Sequence, residues 1–199
     1  MITRKEMTRM LLKEGLLSWL ANNSFESVTV TSLCKASGIT RSTFYLHYSN
    51  IMEIVDDLVD DAIAYSKPGM VDNNNLQTIA NTLSAASNSV SLREAYDSIF
   101  DRLPLCQRII RHKKYLPLFL DEQISEYVLQ RIIGREKDRQ GLVMAESLGV
   151  SFDVGVSVFV FLVHGLYAVN KQYKWSQSDE WLEAQKTIFE LVYRGLQSR

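Results

Sequence analysis

Sixteen consecutive residues, Val154 to Val169, carry no charged side chain, and this run limits what the chain can fold into. It is short for a bilayer, where a spanning helix needs about 20 apolar residues, and it includes His164 and two glycines. Its start, Val154-Gly-Val-Ser-Val-Phe-Val160, alternates with period two and on propensity alone reads as a strand. No second segment offers a convincing strand to pair with it, so the run is read as a helix. A helix apolar all round must be covered on both sides, which requires other helices around it. The composition supplies them: 46% of the 199 residues are hydrophobic, and nine glycines and three prolines are too few for a turn-dense all-β chain.

Further helices follow from periodicity and caps. Leu12, Leu16, Trp19 and Leu20 trace one face of a helix over about Thr3–Asn22. Thr29 as N-cap and Gly38 as a left-handed stop bracket a short helix, Val30–Ser37, and Thr40 caps the next, Arg41–Tyr48. Asn50 and Glu53 have the capping-box spacing ahead of a fourth helix faced by Ile51, Ile54, Val55, Leu58, Ala62 and Tyr65. The Pro-Gly-Asn-rich stretch Lys67 to Asn75 is the strongest loop signal, and the domain boundary is placed there. A fifth helix is suggested from Leu76 to Leu83 and a sixth over Leu92–Leu103. Pro117 suits the first turn of a helix carrying Leu120, Ile124, Tyr127, Val128 and Arg131 and ending before Gly134, while Gly141 to Gly149 fits no element clearly. A final stripe runs through Trp181, Gln185, Ile188, Phe189, Val192 and Leu196, with Gln185 its one polar intrusion.

The formal net charge of -1 conceals an asymmetry, because residues 1–50 hold six Lys/Arg against three acids, while Ile51 to Tyr65 hold five acids and no base. A basic end beside an acidic helix can orient a molecule on a polyanion, and solvated faces give the same pattern. Two cysteines, Cys34 and Cys106, make neither a disulfide framework nor a zinc spacing, and both read as buried small hydrophobes. No apolar stretch follows the polar Met1 to Arg9, so no secretory signal and a cytoplasmic location are expected.

Two short helices joined by Gly38-Ile39-Thr40 make a helix-turn-helix pattern, in which the first helix positions the second to enter a DNA major groove. Val30, Leu33, Ile39 and Phe44 would form the small core. Arg41, Ser42 and Thr43 occupy the exposed first turn, and Arg41 can grip guanine O6 and N7 with two hydrogen bonds. Tyr45 and Tyr48 leave the helix on different faces, so Tyr48 reads more as packing than Tyr45 does. His47 alone would be an ordinary surface histidine, but beside Arg41 and Thr43 it reads as a groove contact.

The run from Thr29 to Asn50, and above all Thr43-Phe-Tyr-Leu-His-Tyr48, resembles the DNA-binding domain of TetR-type (TetR/AcrR family) transcriptional regulators over roughly the first 65 residues. The resemblance implies that Thr40, Tyr45 and His47 touch phosphates or groove walls. The helix starts at Val30 and Ile51 would offer backbone amides to phosphates. The candidate DNA-binding set is therefore Thr29, Thr40, Arg41, Ser42, Thr43, Tyr45, His47 and Tyr48. The chain departs from the pattern at Ile51, where such regulators usually carry a phosphate-pairing lysine, and that loss weakens non-specific, salt-dependent affinity.

The same resemblance implies an all-α architecture: residues 1–50 as a three-helix DNA-binding domain, 51–66 as a connecting helix, and 67–199 as a C-terminal ligand-binding helical bundle with a dimerisation helix pair. The helix from Val154 and the stripe from Trp181 look like that pair, with Val158, Phe159, Phe161, Leu162, Trp181, Ile188, Phe189 and Val192 at the interface and Trp175 capping the seam. The competing reading is that both helices line the protomer's own core. Candidate ligand contacts are Phe100, Tyr115, Phe119, Tyr127, Met144, His164 and Tyr167, although aromatic stripes at helical spacing more often build core than pocket. Arg108, Arg111, His112, Lys113 and Lys114 form a basic cluster that an acidic effector would find, or that water solvates.

These features predict a DNA-binding regulator with a palindromic duplex operator, a homodimer, a small hydrophobic or aromatic effector, and no membrane partner. Repression released by the effector is the first reading, and a DNA-bound activator or adaptor acting through a protein partner is the alternative. An enzyme is disfavoured. The sequence has no phosphate loop, no metal-spaced His/Cys/Asp set and no Gly-x-Ser-x-Gly elbow, and it points to neither cofactor nor metal.

Overall fold

The computed structural model describes residues 3–66, 75–103, 107–108 and 113–197, and among them the chain is helical with no strand. Its helices are α1 (Arg4–Leu20), α2 (Val30–Ser37), α3 (Arg41–Tyr45), α4 (Ile51–Ser66), α5 (Asn75–Ser84), α6 (Ser89–Ser98), α7 (Leu116–Leu120), α8 (Ser125–Leu148), α9 (Phe152–Gln172) and α10 (Asp179–Gln197). Short 3-10 turns lie at Phe25–Ser27 and Phe100–Arg102. Most of the loop expected at Lys67 to Asn75 lies outside the described residues, as do Pro104, Cys106, Arg111, His112 and the side chain of Leu196.

The chain forms two compact units, residues 1–65 with 112–134 and residues 66–111 with 135–199. The first unit therefore gathers α4 and takes back a segment expected in the C-terminal domain. A tertiary cap is one of the ties that hold it there. Asp121, almost fully buried, accepts hydrogen bonds from the backbone amides of Phe25 (2.6 Å), Gln123 (2.9 Å) and Ile124 (3.2 Å). One carboxylate thus satisfies the turn after α1 and the start of α8 together.

Local signals set the other boundaries of the first unit. Thr3 caps α1 in a reciprocal box with Glu6, and Thr29 does the same for α2 with Ser32. Gly38 closes α2 at φ +65°, a left-handed conformation that favours glycine because it carries no Cβ. Asn50 Oδ1 accepts from the Glu53 amide (3.2 Å), and the Glu53 carboxylate returns to the Ser49 amide (2.8 Å), one residue earlier than in the expected box. Leu12, Leu16, Leu33, Phe44, Ile54 and Leu58 are buried.

Two expectations about the middle of the chain are corrected. The helix expected to begin at Pro117 and end before Gly134 is two helices, since Asp121 interrupts it. The second of them, α8, runs through Gly134 and Gly141 to Leu148. A glycine inside a helix costs about 1 kcal/mol relative to alanine, too little to stop 24 residues held by packing along their length.

In the second unit, Leu76, Ile79 and Leu83 of α5, Leu92 and Tyr96 of α6, Leu162 and Leu166 of α9, and Trp181, Leu182 and Phe189 of α10 share one core. The period-two run lies inside α9. Its Gly155 is a packing position, because a Cβ there would collide with the Gly141 carbonyl and the Ala145 amide where α8 and α9 meet backbone to backbone. Helix α9, at 21 residues, is longer than the uncharged run and alone among the described residues is long and apolar enough to cross a membrane by length and composition. A third of its most apolar window is buried within the chain itself.

Candidate nucleic-acid interface and a buried amide cluster

Helix α3 is short and two-sided. Phe44 is fully buried, and it packs edge-to-face on Tyr45 at 5.2 Å between ring centroids and tilted on Tyr48 at 6.2 Å. On the opposite face Arg41, Ser42, Tyr45 and Leu46 are exposed, at the i, i+1, i+4, i+5 spacing of one helical stripe. Thr40 stiffens the first turn: its hydroxyl oxygen accepts from the Thr43 amide (3.2 Å) and shares hydrogen bonds with the hydroxyls of Ser42 (3.0 Å) and Thr43 (2.8 Å). Thr29, exposed at the start of α2, accepts from the Ser32 amide at 3.0 Å. His47 is half-buried, and its Nδ1 is shielded without a hydrogen-bond partner.

Tyr48 departs from the expected DNA-binding set. Helix α3 ends at Tyr45, and Tyr48, at 3% exposure, lies in the turn that follows. Its hydroxyl donates to Asp57 of α4 at 2.6 Å, and the Arg9 guanidinium of α1 lies 5.0 Å from its ring centroid. Arg9 also pairs with Asp57, and Lys13 pairs with Asp61 one helical turn on. Tyr48 thus ties the turn after α3 to α1 and α4. Leu46 lies outside the set expected from sequence, yet it is 80% exposed beside Tyr45.

The acids of α4 are largely answered from within the first unit. Besides Asp57 and Asp61, Asp56 accepts the Tyr127 hydroxyl (2.6 Å) and pairs with Arg131 (3.1 Å). The five-acid stretch therefore presents far less free negative charge beside α3 than its sequence suggests.

Burial pushes the Asp57 carboxyl upward, but hydrogen bonds from Arg9 and Tyr48 outweigh it and hold the carboxyl below its usual range. A depressed carboxyl contributes stability that is complete above the ordinary aspartate value of about 3.9 and is lost as pH falls through the lower folded-state value. Asp57→Asn is expected to cost about 1–3 kcal/mol at pH 7 and to flatten the acid limb of denaturant midpoint against pH. Parallel acid limbs in parent and variant would remove Asp57 from that role.

The expected ligand contacts divide between the units. Tyr115, Phe119 and Tyr127 belong to the first, where Tyr115 and Phe119 are buried and Tyr127 is committed to Asp56. Phe100, Met144, His164 and Tyr167 belong to the second, where Phe100 and Met144 pack against the core and Tyr167 meets Trp175 edge-to-face at 5.6 Å. The basic cluster is corrected in part: Arg108 is buried, and Lys114 pairs with Glu14.

The expected dimer residues take different places in the structure. Phe159, Leu162, Trp181 and Phe189 are corrected to core positions, being buried within the chain itself, whereas Val158, Ile188 and Val192 are partly buried against that core. The helix from Val154 does line its own core on one face, because α5 and α6 close over α10 and complete a core that the sequence does not delimit. Phe161, 69% exposed, is the one outward-facing member of the set.

Sequence reasoning noted Gln185 but missed what it joins. Inside the second unit Tyr96 Oη donates to Gln107 Oε1 (3.3 Å), and Gln107 Nε2 donates to Gln185 Oε1 (3.1 Å). Trp181 Nε1 donates to Asn170 Oδ1 (2.8 Å) and packs edge-to-face on Tyr96 at 5.1 Å. An indole nitrogen only donates, so the Asn170 amide is fixed with its Nδ2 facing away. Asn170 Nδ2 and Gln185 Nε2 are buried without partners.

No protein-family model, curated protein or solved structure shows significant similarity to the chain.

Proposed function

We propose that the chain is a sequence-specific DNA-binding transcriptional regulator of TetR type, working as a cytoplasmic homodimer whose grip on DNA is released by a small hydrophobic or aromatic effector. The observation that carries the reading is the outward stripe of Arg41, Ser42 and Tyr45 on a helix whose other face is anchored by Phe44, behind a left-handed glycine turn. The short α2 and α3 on either side of this turn support reading the pair as a helix-turn-helix, in which exposed side chains of α3 would reach base edges. The pairing of the α4 acids favours approach to a polyanion.

Selection of bound sequences from random duplex DNA by the purified chain is the test. A palindrome with half-sites about 34–36 Å apart, or a multiple of the helical repeat, is the expected outcome. Arg41→Ala should then cost about 1–3 kcal/mol on the selected duplex and relax preference at one base pair per half-site, with the unfolding midpoint unchanged because Arg41 is exposed. A pool that shows no enrichment would overturn the reading. A variant as selective as the parent would remove Arg41 as a reader.

A further inference from the structure

Leu46 is 80% exposed, more than any other large hydrophobic side chain described, and Tyr45 beside it is 53% exposed. Leu46 follows α3 with helical backbone angles (φ -74°, ψ -17°), and its amide donates to the carbonyls of Ser42 (3.3 Å) and Thr43 (3.2 Å). The outward stripe of α3 therefore continues without a break from Arg41 and Ser42 onto an apolar end. The next residues turn inward, His47 to half-burial and Tyr48 into its hydrogen bond with Asp57. An apolar side chain held on a hydrogen-bonded backbone at that place is presented to whatever α3 approaches.

We infer that Leu46, flanked by the Tyr45 ring, is an apolar reading element that takes the 5-methyl group of thymine in the major groove; this rests on the DNA-binding reading given above. The argument is one of chemical matching. Each base presents hydrogen-bonding groups along the major-groove edge, and thymine alone presents a methyl group there. A leucine laid over cytosine or adenine would bury an amino donor without a partner, which is unfavourable, whereas over thymine it removes two apolar surfaces from water. Phosphates offer an apolar side chain nothing. Leu46 and Arg41 lie at opposite ends of the stripe, so the thymine and the guanine expected for Arg41 fall at different positions of one half-site.

The test uses two random duplex pools, one containing thymine and one with deoxyuridine in every thymine position, which removes the methyl group and leaves the hydrogen-bonding edge unchanged. From the thymine pool the parent should enrich a half-site in which one thymine, changed singly to deoxyuridine, costs about fourfold in affinity. Leu46→Ala should lose a similar factor on the thymine duplex and become indifferent to that change. Its unfolding midpoint should match the parent's, as the side chain packs on little. Equal binding of the parent to every singly substituted duplex would overturn the inference, as would a Leu46→Ala loss that is the same with and without the methyl group. Absence of any enriched duplex in the thymine pool would instead remove the DNA-binding reading, and this inference with it.

Discussion

Phe44→Ala is expected to lower the stability of the first unit by about 3–5 kcal/mol and to abolish DNA binding, while Leu46→Ala two residues away leaves stability unchanged. Phe44 is fully buried, in ring contact with Tyr45 and Tyr48, and belongs to the small core that sets the angle of α3. Removing the ring takes away its transfer free energy and leaves a cavity that two short helices fill poorly. A unit of this size has only about 5–15 kcal/mol in hand, so a sizeable fraction of molecules would open locally at moderate temperature. Hydrogen exchange separates this from a loss of contact surface: residues 30–50 should lose protection in Phe44→Ala and keep it in Leu46→Ala and Arg41→Ala. If Phe44→Ala keeps both its protection and its denaturant midpoint, Phe44 does not organise α3.

How far such features were legible in the sequence depended on how local their causes are. Thr29, Gly38 and Thr40 act on backbone groups within three or four residues, and they lie where capping rules put them. Tyr48 was harder to place, because its partner Asp57 is nine residues away on another helix and no spacing rule pairs them. Asp121 was illegible for the same reason on a larger scale, since its carboxylate reaches back 96 residues to Phe25 and so moves a whole segment into the first unit. The period-two run of Val154 to Val160 was misleading on propensity alone and correctly read as helix only by the lack of a partner strand. Its glycine marks the contact with α8 rather than a break. Gln185 stands out as polar within an apolar stripe, yet its meaning requires Gln107, which donates to it from 78 residues away and in turn accepts from Tyr96.

Phe161→Asp is expected to weaken self-association at least a hundredfold, about 2.7 kcal/mol, without changing the unfolding of the protomer. The burial pattern of α9 gives the reason. Phe159, Leu162, Val163 and Leu166 turn into the protomer, while Val154, Ser157, Phe161, Gly165 and Ala168 form a stripe on the opposite face that remains exposed. That stripe combines one large aromatic with small residues at helical spacing, so a second copy of the helix can come close and receive the ring. In a two-fold dimer the same residue is changed on both copies. A carboxylate on that stripe would lose its water with no cation to pair with, which is costly on each side. Leu191 of α10, 72% exposed, offers an independent position at which Leu191→Asp reports whether α10 shares the contact. Sedimentation of the parent at micromolar concentration should give a dimer and Phe161→Asp a monomer with unaltered helicity. The monomer should also bind a single half-site, with loss of preference for the palindrome. A parent that sediments as a monomer, or a variant as dimeric as the parent, would reassign the exposed face of α9. Phe159→Ala makes the complementary case, since a ring buried in the protomer should cost about 3–5 kcal/mol in folding and leave the dimer affinity of the folded fraction intact.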